Sequence, residues 1–246
     1  MSMGILEYKF RVDYRDVDEF NHLTPRSMLR FMGEAAGEAS ASVGYGLNDI
    51  PRTHLTWLLL NWKLQIFDRP IWETELKIKT WPQRTEKFYS FRDFEIYDGD
   101  GILVAKATSK WILINTETGS ITRFSQEMID AYGCIDKTVF DKPIEEKLKE
   151  PENFVSEFQY AIQRRDIDTN HHVNNLYYLD FAFEALPDDV YKNIDISTIE
   201  IMYKKQLVYG DHISCLYKKT GEKEHTITIK DNTHKTLHAI IRFTEK

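Results

Sequence analysis

Residues 7–14 alternate apolar and charged side chains, with Tyr8, Phe10, Val12 and Tyr14 against Glu7, Lys9, Arg11 and Asp13. This period of two predicts a half-buried strand. The period then lengthens. Met28, Leu29, Phe31, Met32, Ala35, Ala36 and Ala39 recur at helical spacing behind Thr24-Pro25, a capping residue followed by proline at the first helical position. The helix is expected to reach about Val43 and to stop at Gly44-Tyr45-Gly46. Strand patterns return over 53–67, 72–81, 88–97 and 102–115, with turn sequences at Asp98-Gly99-Asp100-Gly101 and Thr116-Glu117-Thr118-Gly119. A short helix is expected over 125–132.

The same order then starts again. A strand is predicted over 154–163, followed by a polar loop and an apolar helix from Asn174, a plausible cap, to about Leu186. A turn at Pro187-Asp188-Asp189 and strands over 196–208, 212–219, 225–230 and 236–244 complete the chain. Residues 137–153 are charged, hold Pro143 and Pro151, and read as a linker. One helix followed by an antiparallel meander is an α+β unit. The chain reads as two of them, 1–136 and 154–246.

The repeat is visible residue by residue. Residues 15–35 align with 165–185 without a gap, and eight of the 21 pairs are identical. They are Arg15/Arg165, Asp16/Asp166, Asp18/Asp168, His22/His172, Leu29/Leu179, Phe31/Phe181, Glu34/Glu184 and Ala35/Ala185. Average residue usage would give roughly one or two, so two copies of one fold are expected. A second echo pairs Trp62-Lys63-Leu64-Gln65-Ile66 with Tyr203-Lys204-Lys205-Gln206-Leu207.

Composition narrows the function classes. A 246-residue chain with 42% hydrophobic and 13% aromatic residues can bury two cores. It contains no run of about 18 apolar residues, and its first residues do not read as a secretion signal, so a cytoplasmic protein with no membrane span is expected. The net charge of −7 argues against general nucleic-acid binding. Cys134 and Cys215 lie far apart and read as reduced thiols. His171-His172 has no companion at metal-ligand spacing, so neither a metal nor a cofactor is expected.

The chemistry concentrates in 165–178. Asp168, Asn170 and His172 bring a carboxylate, an amide and an imidazole to the start of a helix. Unpaired backbone N–H groups there, around Asn174 and Asn175, can receive an anion or a developing oxyanion. His171 is expected to be exposed and inessential, and Tyr177 and Tyr178 to belong to the core.

The run Asp166-Ile167-Asp168-Thr169-Asn170-His171-His172-Val173-Asn174-Asn175-Leu176-Tyr177-Tyr178 resembles the hotdog-fold thioesterases. Two fused copies resemble the acyl-acyl-carrier-protein thioesterases of plants and bacteria. That resemblance implies two tandem hotdog domains, each an antiparallel sheet wrapped around a long central helix. The second would be catalytic through Asp168, Asn170 and His172. The first would hold the acyl chain, with Met28, Met32, Ala36, Trp57 and Leu59 as expected lining. The partner implied is acyl carrier protein with its phosphopantetheine-linked acyl chain, docking on Arg164, Arg165, Lys204 and Lys205. The first copy keeps Asp18 and His22 but has Phe20 at the amide position and Thr24-Pro25 in place of Asn174-Asn175. Glu34 and Glu184 could mimic the helix-borne carboxylate of other hotdog enzymes, but structural hydrogen bonds are expected of them.

One departure bears on mechanism. The plant enzymes carry a Glu and then a Cys where this chain has Gln206-Leu207. Leu207 excludes a cysteine nucleophile at this place and favours direct attack by water. Either Asp168 or His172 takes the proton, while Asn170 and Gln206 position the water or the imidazole. The expected activity is release of free fatty acid from acyl-acyl-carrier-protein, ending chain elongation. An acyl-CoA thioesterase and a non-catalytic acyl-binding protein stand as alternatives. A doubled hotdog supplies internally what single hotdogs obtain by dimerising, so monomer and homodimer are both compatible.

Overall fold

The computed structural model describes residues 4–142, 144 and 147–246. The chain divides into two compact units, Met1–Leu60 with Leu64–Ile144, and Asn61–Lys63 with Glu145–Lys246. The fold is α+β, and one plan occurs twice, as the repeat implied.

In the first unit, β1 (Leu6–Arg11) leads through a single turn of 3-10 helix, Tyr14–Asp16, to α1 (Pro25–Ser42). Thr24 caps α1, its hydroxyl accepting from Ser27 N–H at 3.2 Å, and Pro25 takes the first helical position, where no N–H is needed. Leu29, Met32, Ala36 and Ala39 are buried, and α1 packs against β1 and β3. α2 (Ile50–Thr53) is a single turn that the apolar pattern did not predict. The strands are β2 (Leu55–Ile66), β3 (Glu75–Glu86), β4 (Tyr89–Tyr97), β5 (Leu103–Asn115) and the short β6 (Ile121–Thr122), in the order β1-β3-β4-β5-β2 with β6 on β5. β3 runs past the expected end at Trp81 because Pro82, which has no ladder N–H, sits at a register shift against β4. α3 (Gln126–Tyr132) closes the unit.

The second unit repeats the plan. β7 (Ser156–Ala161) leads through the turn Arg164–Asp166 to α4 (Asn175–Glu184). α4 is shorter than its counterpart. A second helix, α5 (Asp188–Asn193), begins where a turn was expected, with Pro187 as its cap. β8 (Ile196–Tyr203), β9 (His212–Lys219), β10 (Glu224–Asp231) and β11 (Leu237–Glu245) form the order β8-β11-β10-β9-β7, with α4 against β10 and β11. β8 ends at Tyr203 rather than Val208, so Gln206 lies beyond the strand. The packing of the two units matches in detail. Phe10 meets Phe31 with ring centroids 4.9 Å apart, and Tyr160 meets Phe181 at 4.9 Å.

Residues 137–153 contain no helix or strand among those described, yet they are not a loose connection. Trp81 Nε1 donates to Lys137 O at 2.9 Å, and Val139 N–H donates to the buried carboxylate of Asp93 at 3.0 Å. Leu148 packs with Met202 and Ile240, and Lys230 pairs with Glu150 at 2.5 Å. Pro143 lies outside the described residues. Among the described residues no helix is long and apolar enough to cross a membrane.

Candidate active site

The two loops that precede α1 and α4 are built by the same bonds. Asp18 N–H donates to His22 O at 2.9 Å, and Asp168 N–H to His172 O at 2.8 Å. Thr24 N–H donates to Asp16 O at 2.9 Å, and Asn174 N–H to Asp166 O at 2.8 Å. Asn21 and His171 occupy the left-handed region at φ 62 in both loops. Asparagine adopts that conformation readily and histidine less so. His171 is thus an exposed turn residue. Asp16 and Asp166, each 1% exposed, anchor the loops from below. Asp166 accepts from Gln163 N–H at 2.8 Å and from the Tyr160 hydroxyl at 3.0 Å. Asp16 accepts from Ser27 Oγ at 3.0 Å and from the Arg30 guanidinium at 2.7 Å. Both aspartates are identities of the repeat, but their role as buried anchors could not be read from it.

The segments that close the loops also correspond. Leu23 N–H donates to Pro70 O and Val173 N–H to Leu207 O, both at 2.8 Å. Val12 N–H donates to Thr74 O at 3.0 Å and Ile162 N–H to Asp211 O at 2.9 Å. Pro70 therefore stands where Leu207 stands, and Arg69 where Gln206 stands. This corrects the second sequence echo. Gln206 corresponds to Arg69 rather than Gln65, because the ends of β2 and β8, Ile66 and Tyr203, are the matching positions.

At this position the two loops part. Arg69 forms an ion pair with Asp18, and its Nε donates to Leu23 O at 2.8 Å. Burial raises the Asp18 carboxyl, but the His22 N–H and the Arg69 guanidinium outweigh it and hold the group below the usual carboxylate range. In the second loop the corresponding residue is the neutral, exposed Gln206. Among the described residues Asp168 has no cationic partner. Its Oδ1 accepts from Asn170 N–H at 2.8 Å and, at the limit, from His172 N–H at 3.5 Å.

Asn170 is exposed and His172 half-buried. His172 Nδ1 is buried and makes no hydrogen bond among the described residues, so the imidazole is not tied to the Asp168 carboxylate in this structure. Asn174 caps α4, its Oδ1 accepting from Leu176 N–H at 3.0 Å, while Tyr177 N–H donates to Asn174 O at 3.0 Å. These bonds use two of the first-turn donors proposed for an oxyanion. The N–H of Asn175 remains without an acceptor among the described residues.

The predicted docking residues Arg164, Arg165, Lys204 and Lys205 are all exposed, and the Arg164 guanidinium lies 5.2 Å from the centre of the Tyr209 ring. Glu34 is at the surface and pairs with Arg30 at 2.8 Å, and Glu184 is exposed; neither reaches a buried site.

The first unit contains a pocket of about 170 Å³. Gly33, Ala36, Gly37 and Ser40 of α1 form one wall, which explains the small residues of that helix, and Trp57, Trp111 and Tyr132 line the others. Of the expected lining residues, Ala36 and Trp57 face this pocket. Met28, Met32 and Leu59 do not: they are packed in the core, 0%, 0% and 5% exposed. Arg92, which no local pattern marked, also lines it. Burial pushes its guanidinium down to about 10, and it donates to Thr80 Oγ1 at 3.1 Å.

Comparison with known proteins places these features in one family. The acyl-ACP thioesterase N-terminal domain matches residues 5–132, and the acyl-ACP thioesterase C-terminal domain matches residues 149–245. The chloroplastic oleoyl-acyl carrier protein thioesterase of Coriandrum sativum is 25% identical over 237 residues, 89% of this chain and 64% of that protein. The chain thus spans a little under two thirds of the length of that relative. An acyl-ACP thioesterase from Bacteroides thetaiotaomicron has the same fold with a TM-score of 0.86, 23% identity and 100% coverage of both chains. The 12:0-ACP thioesterase from Umbellularia californica matches with a TM-score of 0.87 and 21% identity, covering 98% of this chain and 97% of that one.

Proposed function

Because the chain belongs to the acyl-ACP thioesterase family, we propose that it hydrolyses the thioester of fatty acyl-acyl-carrier-protein and releases the free acid, ending chain elongation in fatty acid biosynthesis. The observation that carries this reading is the contrast between the two loops. Asp18 is paired with Arg69, whereas among the described residues Asp168 has no cationic partner and the residue that corresponds to Arg69 is the neutral Gln206. An unpaired carboxylate retains the capacity to accept a proton from water, which a salt-bridged one loses.

In this mechanism a water held by Asp168, with Asn170 and Gln206 as amide partners, attacks the thioester carbonyl. The proton passes to Asp168 or to His172, and the Asn175 N–H at the start of α4 receives charge on the carbonyl oxygen. The tetrahedral intermediate collapses, the C–S bond breaks, and the leaving thiolate takes the proton back from Asp168 or His172 and departs as the carrier thiol. The first unit takes the acyl chain in the pocket lined by Ala36 and Trp57, and Arg164, Arg165, Lys204 and Lys205 face the acidic carrier.

The test is thiol release from acyl-carrier-protein substrates of graded chain length, with matched acyl-CoAs, by the wild type and by Asp168→Ala. Hydrolysis that prefers the carrier protein and falls about 10²–10⁴-fold in the folded variant is expected. Near wild-type turnover by Asp168→Ala would refute the assignment, and turnover on CoA alone would refute the carrier.

A further inference from the structure

We propose that Tyr178 is a positioning residue that sets the place of Gln206 beside the Asp168–His172 loop, acting through the backbone of Leu207. The inference rests on the thioesterase reading above and adds a residue to it. Tyr178 lies on the first turns of α4 and is 4% exposed. Its hydroxyl oxygen accepts from Leu207 N–H at 3.2 Å, while Leu207 O accepts from Val173 N–H at 2.8 Å. Both backbone groups of Leu207 are therefore held from the loop-and-helix side, and the residue itself is 0% exposed. The neighbour on its N-terminal side is the exposed Gln206. Tyr203, packed edge-on against Tyr178 with ring centroids 5.3 Å apart, donates its hydroxyl to Asn175 O at 3.0 Å and ties the other end of the segment to the start of α4.

The first unit supplies an internal control. The helix position equivalent to Tyr178 is Met28, which has no hydroxyl, and the position equivalent to Leu207 is Pro70, which has no N–H. Donor and acceptor are both present in the unit with the unpaired carboxylate and both absent in the unit whose carboxylate is locked by Arg69. A bond needed only to build the fold would be wanted in both units, since the Leu23–Pro70 and Val173–Leu207 bonds are common to both. The tyrosine bond is specific to the loop that keeps the amide of Asn170 and the amide of Gln206. Burial raises the phenol of Tyr178, and the charges of Asp211 and Asp168 raise it further, so the hydroxyl stays neutral throughout the working range.

The experiment is a double-mutant cycle on kcat with Tyr178→Phe and Gln206→Ala, measured by thiol release at a temperature where circular dichroism shows every variant folded, with Asp168→Ala alongside. Tyr178→Phe alone should lower kcat about tenfold with KM within twofold, since small misplacement of a catalytic group is expensive in rate. In the Gln206→Ala background the same change should cost less than twofold, because there is no amide left to place. Equal losses in both backgrounds, or no loss in either, would overturn the proposal. A purely structural tyrosine would lower the melting temperature and leave kcat of the folded protein unchanged. If Asp168→Ala retains turnover, the thioesterase site assignment fails instead, and the two failures are distinct.

Discussion

Replacing Gln206 by arginine recreates at the second loop the ion pair that occupies the first. The Arg69–Asp18 pair is partly exposed, with side-chain exposures of 33% and 22%. A pair in that setting stabilises the ionised carboxylate by up to about 1 kcal/mol after solvent screening, which lowers the rate of proton acceptance about fivefold. The larger effect is positional. The guanidinium would claim the carboxylate oxygen that a water must reach, and removal of a working base costs ~10²–10⁴-fold. Gln206→Arg should therefore lower kcat on acyl-carrier-protein by about 10²-fold, with a melting temperature equal to or above that of the wild type. Gln206→Met, which removes the amide without adding charge, should lose less. The assay is thiol release under saturating substrate, with both variants compared at 0.05 and 0.5 M salt, where screening should relieve part of the arginine effect. A folded Gln206→Arg protein with kcat within threefold of wild type would refute the reasoning that an unpaired Asp168 is what separates the two loops.

Two further outcomes follow from the same geometry. Arg69→Gln removes the partner that holds the Asp18 carboxyl below its ordinary value. A depressed value stabilises the fold above the unfolded carboxylate range, near pH 4, and that contribution disappears as the pH falls through the native value. The variant should melt ~2–4 °C below wild type at pH 7 for about 1 kcal/mol, with the gap closing in acid and kcat unchanged. A gap constant down to pH 2 would contradict the role given to the ion pair. Ala36→Leu places three more carbons in a pocket of about 170 Å³. Since a methylene is worth about 1–3 kcal/mol of discrimination, the chain-length optimum should shorten by about two carbons in the graded acyl-carrier-protein assay. An unchanged profile would place the acyl chain elsewhere.

Much of this protein is written locally. Strand alternation in residues 7–14, the Thr24-Pro25 helix start and the Asn174 cap are near-neighbour effects, decided by side-chain period and by the hydrogen bonds a helix end needs. The doubled fold is equally legible, because the loop bonds of Asp18 and Asp168 join residues four apart and so leave their mark in the aligned residues. Asp168 and His172 could be singled out for the same reason, and Asn170, which has Phe20 as its counterpart, by its amide at the start of a helix.

What faces those residues depended on contacts between distant segments. Arg69, which pairs with Asp18, and its counterpart Gln206 lie 51 and 38 positions along the chain from Asp18 and Asp168, and the short echo around Trp62 and Tyr203 suggested a register that the backbone bonds do not have. Period alone marks Met28, Met32, Ala36 and Leu59 alike as apolar. Only packing separates Ala36, which opens a pocket, from the other three, which fill the core, and only packing draws Arg92 into that pocket's wall. Tyr178 reads as an ordinary core aromatic until Leu207 N–H is found on its hydroxyl. A hydrogen bond between a helix and a segment 29 residues away has no local period to betray it, so the tertiary fold alone assigns it.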